Sequence, residues 1–368
     1  MPEARHRPHP FARLPLLLAA CGFAVPLLGC ARPTAAPPTP RAPRTVAWLP
    51  TPGESLLDRH APIFVTEDAH ESWNRIGTPS ARRDEDGEET IYVDPEVPTI
   101  YRRQLSFEAG GHRYTNLLYR VHFEGSPFTW IPFNAGAGKN VGLFAVITLD
   151  AAERPVWVTT VHTCGCYHAI LPTDRLPHAA WPADWDPEGI DVYGERLPGV
   201  LRWSEAGDRA RVVVRLRGGS HRVMDVGVAS ASAIAEAHAT RRANVRPIAD
   251  LDALPLGEGT TSFFHEDGRK RGLVKGAWKP LETLLFGAWI RDFHVGRDRR
   301  YGPRDQTQLF YTTLNPLRKE RSDMWDFAHF LELEGWKTGI VAPAGFEAAG
   351  SREAGQPSDA AVGRGSRM

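Results

Sequence analysis

Cysteine is scarce in this 368-residue chain, with four residues at positions 21, 30, 164 and 166, which excludes a disulfide-rich framework. Net charge is missing too: 44 basic residues balance 44 acidic ones, so no global field draws the chain to nucleic acid. Lysine supplies only six of the basic residues, a bias that a GC-rich genome explains without arginine-based recognition. No apolar run reaches the ~20 residues of a comfortable membrane span. There is no internal repeat, no G-x-S-x-G elbow and no H-E-x-x-H helix. "NAGAGKNVG" (134–142) has Phe133 where a phosphate loop needs glycine and Asn140 where it needs Ser or Thr, which argues against nucleotide. The acidic run Asp84, Asp86, Gly87, Glu89 lacks the order of a calcium loop. With 42% apolar residues and eleven tryptophans, the chain can nonetheless build a substantial core.

The N-terminus carries the most specific pattern. Three arginines in residues 1–13 precede the apolar run Leu14–Leu28, the layout of a secretory signal. The run ends in "LLGC", Leu27 to Cys30, which resembles a bacterial lipobox. The resemblance implies cleavage before Cys30 and a lipid on its thiol; the alternative is a plain signal peptide that contains a cysteine. Residues 31–44, "ARPTAAPPTPRAPR", are rich in Pro and Ala and read as a stiff spacer between an anchor and a folded body. Ala31 rather than Asp after the cysteine implies, by the sorting rule of that class, the periplasmic face of the outer membrane. The expected organisation is a signal peptide over 1–29, a tether over 30–44, a single domain over 45–342 and a low-complexity tail over 343–368.

In the body, "TIYRRQLSF" and "RYTNLLYRVHF" flank "EAGG" as a hairpin would, with Tyr119, Val121 and Phe123 on a buried face and Arg120, His122 and Glu124 on a wetter one. "GLFAVITL" reads as a strand covered on both faces, with "PVWVTTVHTC" as its partner. "RVVVRLR" pairs with "HRVMDVGVA" across "GGS". After about residue 230 the pattern turns helical, in "ASAIAEAHATRRA", "KPLETLLFGAWIRDF" and "SDMWDFAHFLELEG". Strands first and helices later predict an α+β fold: an antiparallel, β-sandwich-like body with C-terminal helices packed on it.

The most unusual chemistry lies in "VHTCGCYHA" (161–169), where His162, Cys164, Cys166 and His168 alternate. On a continuous strand all four share a face, but at ~3.3 Å per residue the two histidines stand roughly 20 Å apart. Zinc holds its ligands at only ~2.0–2.3 Å, so a straight strand cannot bring all four to one ion. A Cys164–Cys166 disulfide likewise needs a turn, which Gly165 permits. With Cys21 in the signal and Cys30 on a lipid, any internal disulfide joins these two. Three readings stay open: a closed disulfide, structural or redox-active; a copper or zinc site with further ligands among His122, His221 and Met224; and two buried thiols with no task beyond packing.

Weaker candidates complete the reading. "FFHEDG" places His265, Glu266 and Asp267 together for acid–base work, or as a solvated turn. "RDFHVGRDRRYGPRD" (291–305) includes Arg297, Arg299 and Arg300, which suit an anionic glycan unless its own aspartates neutralise them. Trp181 and Trp185 in "WPADWDP" offer stacking platforms for sugar or serve packing. The sequence thus points to a lipid-anchored envelope protein with a thiol or metal site at 162–168, disulfide chemistry favoured over copper or zinc. The alternative is a non-catalytic lipoprotein that binds envelope glycan or serves a structural role. No reaction is legible.

Overall fold

The strand-rich middle of the chain folds into one large sheet. The computed structural model describes residues 45–340 except 131–133, 135, 164–166, 193, 208, 268–273, 278, 280 and 282–326. The predicted signal, tether and tail fall outside the described residues, as does nearly all of the helix expected over 279–293. Strands β1 (Val46–Pro50) and β2 (Ile63–Thr66) flank the short helix α1 (Leu56–Arg59). A side hairpin of β3 (Thr78–Arg83) and β4 (Glu89–Asp94) precedes the long meander β5 (Thr99–Ala109), β6 (His112–Ser126), β7 (Gly138–Leu149), β8 (Pro155–His162) and β9 (Ala169–Pro172). Next come the small pair β10 (Ile190–Val192) and β11 (Glu195–Leu197), helix α2 (Trp203–Ala206), and strands β12 (Ala210–Leu216) and β13 (Val223–Ser230). Helix α3 (Ala231–Ala237), strand β14 (Ala239–Pro247), the pair β15 (Leu254–Leu256) and β16 (Gly259–Thr261), and helix α4 (Phe327–Leu333) complete the order.

Ten strands form the main sheet in the order β13-β12-β2-β1-β14-β5-β6-β7-β8-β9. The hairpins expected at "EAGG", at "DAAER" and across "GGS" are all present and antiparallel. The overall expectation is overturned, however. The sheet is a curled, mixed half-barrel rather than an antiparallel sandwich, and among the described residues strand outweighs helix by 49% to 14%. Parallel pairing of β1 with β14, β14 with β5, and β12 with β2 makes it mixed. The helical reading after residue 230 fails for a definite reason. In "ASAIAEAHATRRA" only Ala231–Ala237 is helical, capped by Ser230 Oγ accepting from Ala233 N–H, and the chain then extends as the central strand β14. β14 shows little apolar alternation because most of it is exposed: only Ala243 is fully buried, opposite Pro50. The "SDMWDFAHFLELEG" helix does appear as α4, stopped at Gly335 with φ 88°.

Because the sheet curls, side chains from both halves meet on its concave face. Trp48, Phe64, Val212 and Val214 share that core with Tyr119, Phe123, Leu143 and Val158. The convex face of the meander is covered by residues distant in sequence. Phe263, Phe264, Phe330 and Trp336 pack there on Tyr114, Phe144 and Trp157. This cover corrects the expected wet face of β6, since Arg120 and His122 are fully buried. The Arg120 guanidinium lies 5.0 Å from the Phe144 ring centre and 5.2 Å from that of Phe264, and Arg120 Nε–H donates to His122 Nε2 at 2.7 Å. α3 covers a third, smaller core of Ala47, Leu49, Ile63, Val65 and Val213.

The segment after α4 is docked on the turn between β5 and β6. Tyr114 Oη–H donates to the Thr338 carbonyl, and Gly110, at φ 56°, packs against the Gly339 backbone where a Cβ would collide. Gly110→Ala should therefore lower stability by about 1–3 kcal/mol. Limited proteolysis checks the mechanism: cleavage should concentrate near 336–340, and an unchanged pattern with unchanged stability would show that the docking does not depend on Gly110.

Candidate functional site

β8 stops at His162, and the chain returns as β9 with Thr160 opposite Ala169. β8 and β9 are thus antiparallel neighbours, not one strand continued through His168. Continuing their register sets His162 across from Tyr167 and Val161 across from His168. Opposed residues share a face, so the two histidines serve opposite faces of the sheet. The contacts agree. The His162 ring meets Tyr167 edge-on at 4.6 Å, whereas the His168 ring meets Phe330 of the convex core at 5.2 Å. Cys164 and Cys166 lie outside the described residues.

A different histidine joins His162. The turn between β12 and β13, residues 217–222, carries His221 at φ 54°, and the His221 carbonyl accepts from His162 Nε2–H at 2.8 Å. In turn His221 Nε2–H donates to the Trp73 carbonyl at 2.8 Å, while its ring stacks on Phe123 with centres 4.0 Å apart. Both imidazoles are fixed as Nε2–H tautomers, which leaves each Nδ1 with its lone pair. His221 Nδ1 is buried and has no hydrogen-bond partner among the described residues. Burial holds both rings neutral: His162 is pushed down to about 3, with the Lys279 charge adding to burial, and His221 to about 4.

A cleft of about 160 Å³ opens beside this pair, lined by Pro127, Thr129, Asn134, Tyr167, Arg217, Gly218, Gly219, Ser220 and Arg222. Its rim is held from several sides. Gly219 N–H donates to Asn74 Oδ1 at 2.7 Å, Gly218 N–H donates to Glu67 Oε2 at 3.2 Å, and Ser126 Oγ–H donates to the Gly219 carbonyl at 2.6 Å. Arg217 grips Glu195 with two hydrogen bonds of 2.7 Å, and Arg222 reaches the same carboxylate at 3.0 Å. These bonds, Arg217's above all, hold the Glu195 carboxyl below its usual range. With Glu67 Oε2 3.9 Å from Arg217, the two guanidinium groups of the rim are matched by two carboxylates.

The remaining candidates fall elsewhere. His122 is on the convex side with Arg120, edge-on to Phe263, and burial keeps its pKa far below the ordinary value. Met224 is half-buried on β13. His265, Glu266 and Asp267 follow the bridge between Phe264 and Val274, with the two carboxylates exposed. Trp181 is buried, and Trp185 donates its Nε1–H to the Gly199 carbonyl while packing on Trp336, so both are packing residues. Arg297, Arg299 and Arg300 lie outside the described residues. Among the described residues no three His, Cys, Asp or Glu side chains gather to hold a metal ion, and no helix is long and apolar enough to cross a membrane. Sequence reading did not single out Tyr167, Glu195, Arg217, Arg222 or Lys279. The turn "RGGSHR" was a signal for two of them, whereas Glu195 had none. No protein-family model matches the chain, and neither does any curated protein or solved structure.

Proposed function

We propose that this is a lipid-anchored envelope protein that holds a soft metal ion, copper or zinc, at the hairpin between β8 and β9. His162 and His221 supply imidazole nitrogen, and Cys164 and Cys166 supply thiolate, a donor set that suits those ions. One observation carries the reading: both imidazoles spend Nε2–H on a backbone carbonyl and keep Nδ1 for a ligand. Metal-binding histidines are typically oriented in this way by a second hydrogen bond. Their neutrality at pH 7 is the binding form. His168, on the other face, is not part of the set. The anchor rests on the lipobox-like "LLGC" ending at Cys30.

The antiparallel pairing of β8 with β9 also supports a second reading, a Cys164–Cys166 disulfide, because that bond needs the chain to turn. One experiment separates the two. Protein exported to the periplasm and purified without chelator or reductant should carry about one copper or zinc ion per chain. His221→Ala and Cys164→Ser should each lose it, and His168→Ala should keep it. A metal-free protein lighter by two hydrogens than its reduced form would replace the metal reading with the disulfide. Equal metal in all variants would put the ion elsewhere.

A further inference from the structure

Two large aromatic side chains stand out at the surface: Trp130 is 76% exposed and Phe128 43%, with ring centres 4.8 Å apart. They follow β6 on the segment leading to β7. Among the described residues only Val97 joins them as an exposed large hydrophobic side chain.

Their place in the sheet names the occupant. β1, β14 and β5 run parallel, and β6 runs against them. The start of β1 and the end of β6 therefore lie at the same end of the sheet. The register fixes the level: Ala47 pairs with Thr240, Asn244 with Thr99, and Tyr101 with Arg120, which brings Ser126 level with Thr240 and Ala47. Only three strand spacings, about 15 Å, separate β6 from β1. The chain thus enters the body from the tether at Thr45 beside the segment that bears Phe128 and Trp130. The cleft lies at this end too, since Pro127 and Thr129 line it together with Arg217 and Arg222.

We infer that Phe128 and Trp130 insert into the interface of the phospholipid bilayer that carries the anchor, and that the cleft opens toward the lipid headgroups. This rests on the lipid-anchored reading of Cys30. Tryptophan suits the headgroup level, where its apolar ring is buried and its N–H stays wet. A spacer of fifteen residues or so spans about 45 Å at most, which keeps the body near the surface at a high effective concentration. Under those conditions a weak second contact is enough to set orientation.

The test uses the full mature chain with Cys30→Ser, which removes the lipid, and vesicles of phosphatidylethanolamine and phosphatidylglycerol. This chain should sediment with the vesicles, and Phe128→Ala with Trp130→Ala should weaken partitioning about tenfold or more. Lipids brominated in the acyl chains should quench part of the tryptophan fluorescence. Trp130→Phe should still bind but lose that quenching. Partitioning that survives the double alanine variant, or that high salt abolishes, would overturn the inference. So would a concentration-dependent dimer lost in the double variant with no affinity for vesicles, because the patch would then bind a second copy. Fatty-acid labelling of the wild-type chain tests the anchor separately. A labelled Cys30 with no vesicle binding by the Cys30→Ser chain refutes the insertion alone, and an unlabelled Cys30 with aromatic-dependent binding refutes the anchor alone.

Discussion

Acidification from pH 7 to pH 5 is expected to cost the metal-free protein about 4 kcal/mol, a large fraction of the stability of a domain of this kind. Two buried imidazoles set this figure, and a third acts in the same direction. His162 titrates near 3 and His221 near 4, and His122 lies well below the ordinary 6.5 of a free histidine. In each case burial is the main cause. Because the folded values lie below the unfolded one, the unfolded chain takes up protons first. The stability is complete above about pH 6.5 and is lost as pH falls toward 4, at about 2 kcal/mol for each of His162 and His221 by pH 5. His60, lowered to about 4 chiefly by burial and then by Arg59, acts in the same direction. Urea denaturation in chelator at a series of pH values measures the effect. His122→Gln keeps an acceptor for Arg120 but cannot titrate, so it should make stability less dependent on pH over this range. A midpoint that does not move between pH 7 and 5 would show that these rings are not neutral and buried in solution.

Arg120→Ala should destabilise by about 3–5 kcal/mol, the largest loss expected from a single substitution here. The side chain is fully buried between Phe144 and Phe264 and donates to His122. Truncation empties that volume and takes the donor from a buried imidazole nitrogen at the same time. Arg120→Met separates the two costs. It fills the volume without the charge, and should recover at least half of the loss while raising the His122 pKa, since the guanidinium is one of the groups that depress it. Equal destabilisation by alanine and methionine, measured by chemical denaturation, would mean that the hydrogen bond and charge dominate rather than packing.

Arg120 also marks where sequence reading stopped. The alternation of β6 was legible, and so were its hairpin with β5, the doubly covered β7 and the β12–β13 pair, because each pattern is local and its partner is adjacent in the chain. That alternation could not reveal that Phe263 and Phe264, about 140 residues away, cover the polar face. β14 was missed for a related reason. Its exposed arginines carry no strand pattern of their own, and its identity comes from the two strands it joins. At the candidate site the motif was legible but its geometry was not. A strand and a hairpin place His162 and His168 on one face or on two, and only the pairing of Thr160 with Ala169 decides. The partner that does sit with His162 is His221, 59 residues later, which residue type alone had placed among the weaker metal candidates.

The position of β14 has a consequence for how the chain is assembled. Within the meander from Thr99 to Pro172 each strand pairs with the next one in sequence, so it can form as soon as it is made. By contrast β1, among the first residues of the body to emerge, has one edge without a partner until Ala239–Pro247 arrives. Insertion of β14 then joins the β13-β12-β2-β1 half to the meander in one event. Loop closure across nearly two hundred residues makes that the slow step of folding, and the waiting edges of β1 and β5 are the surfaces most open to mispairing meanwhile. A fragment ending before Ala239 would leave two half-sheets with no strand to pair them.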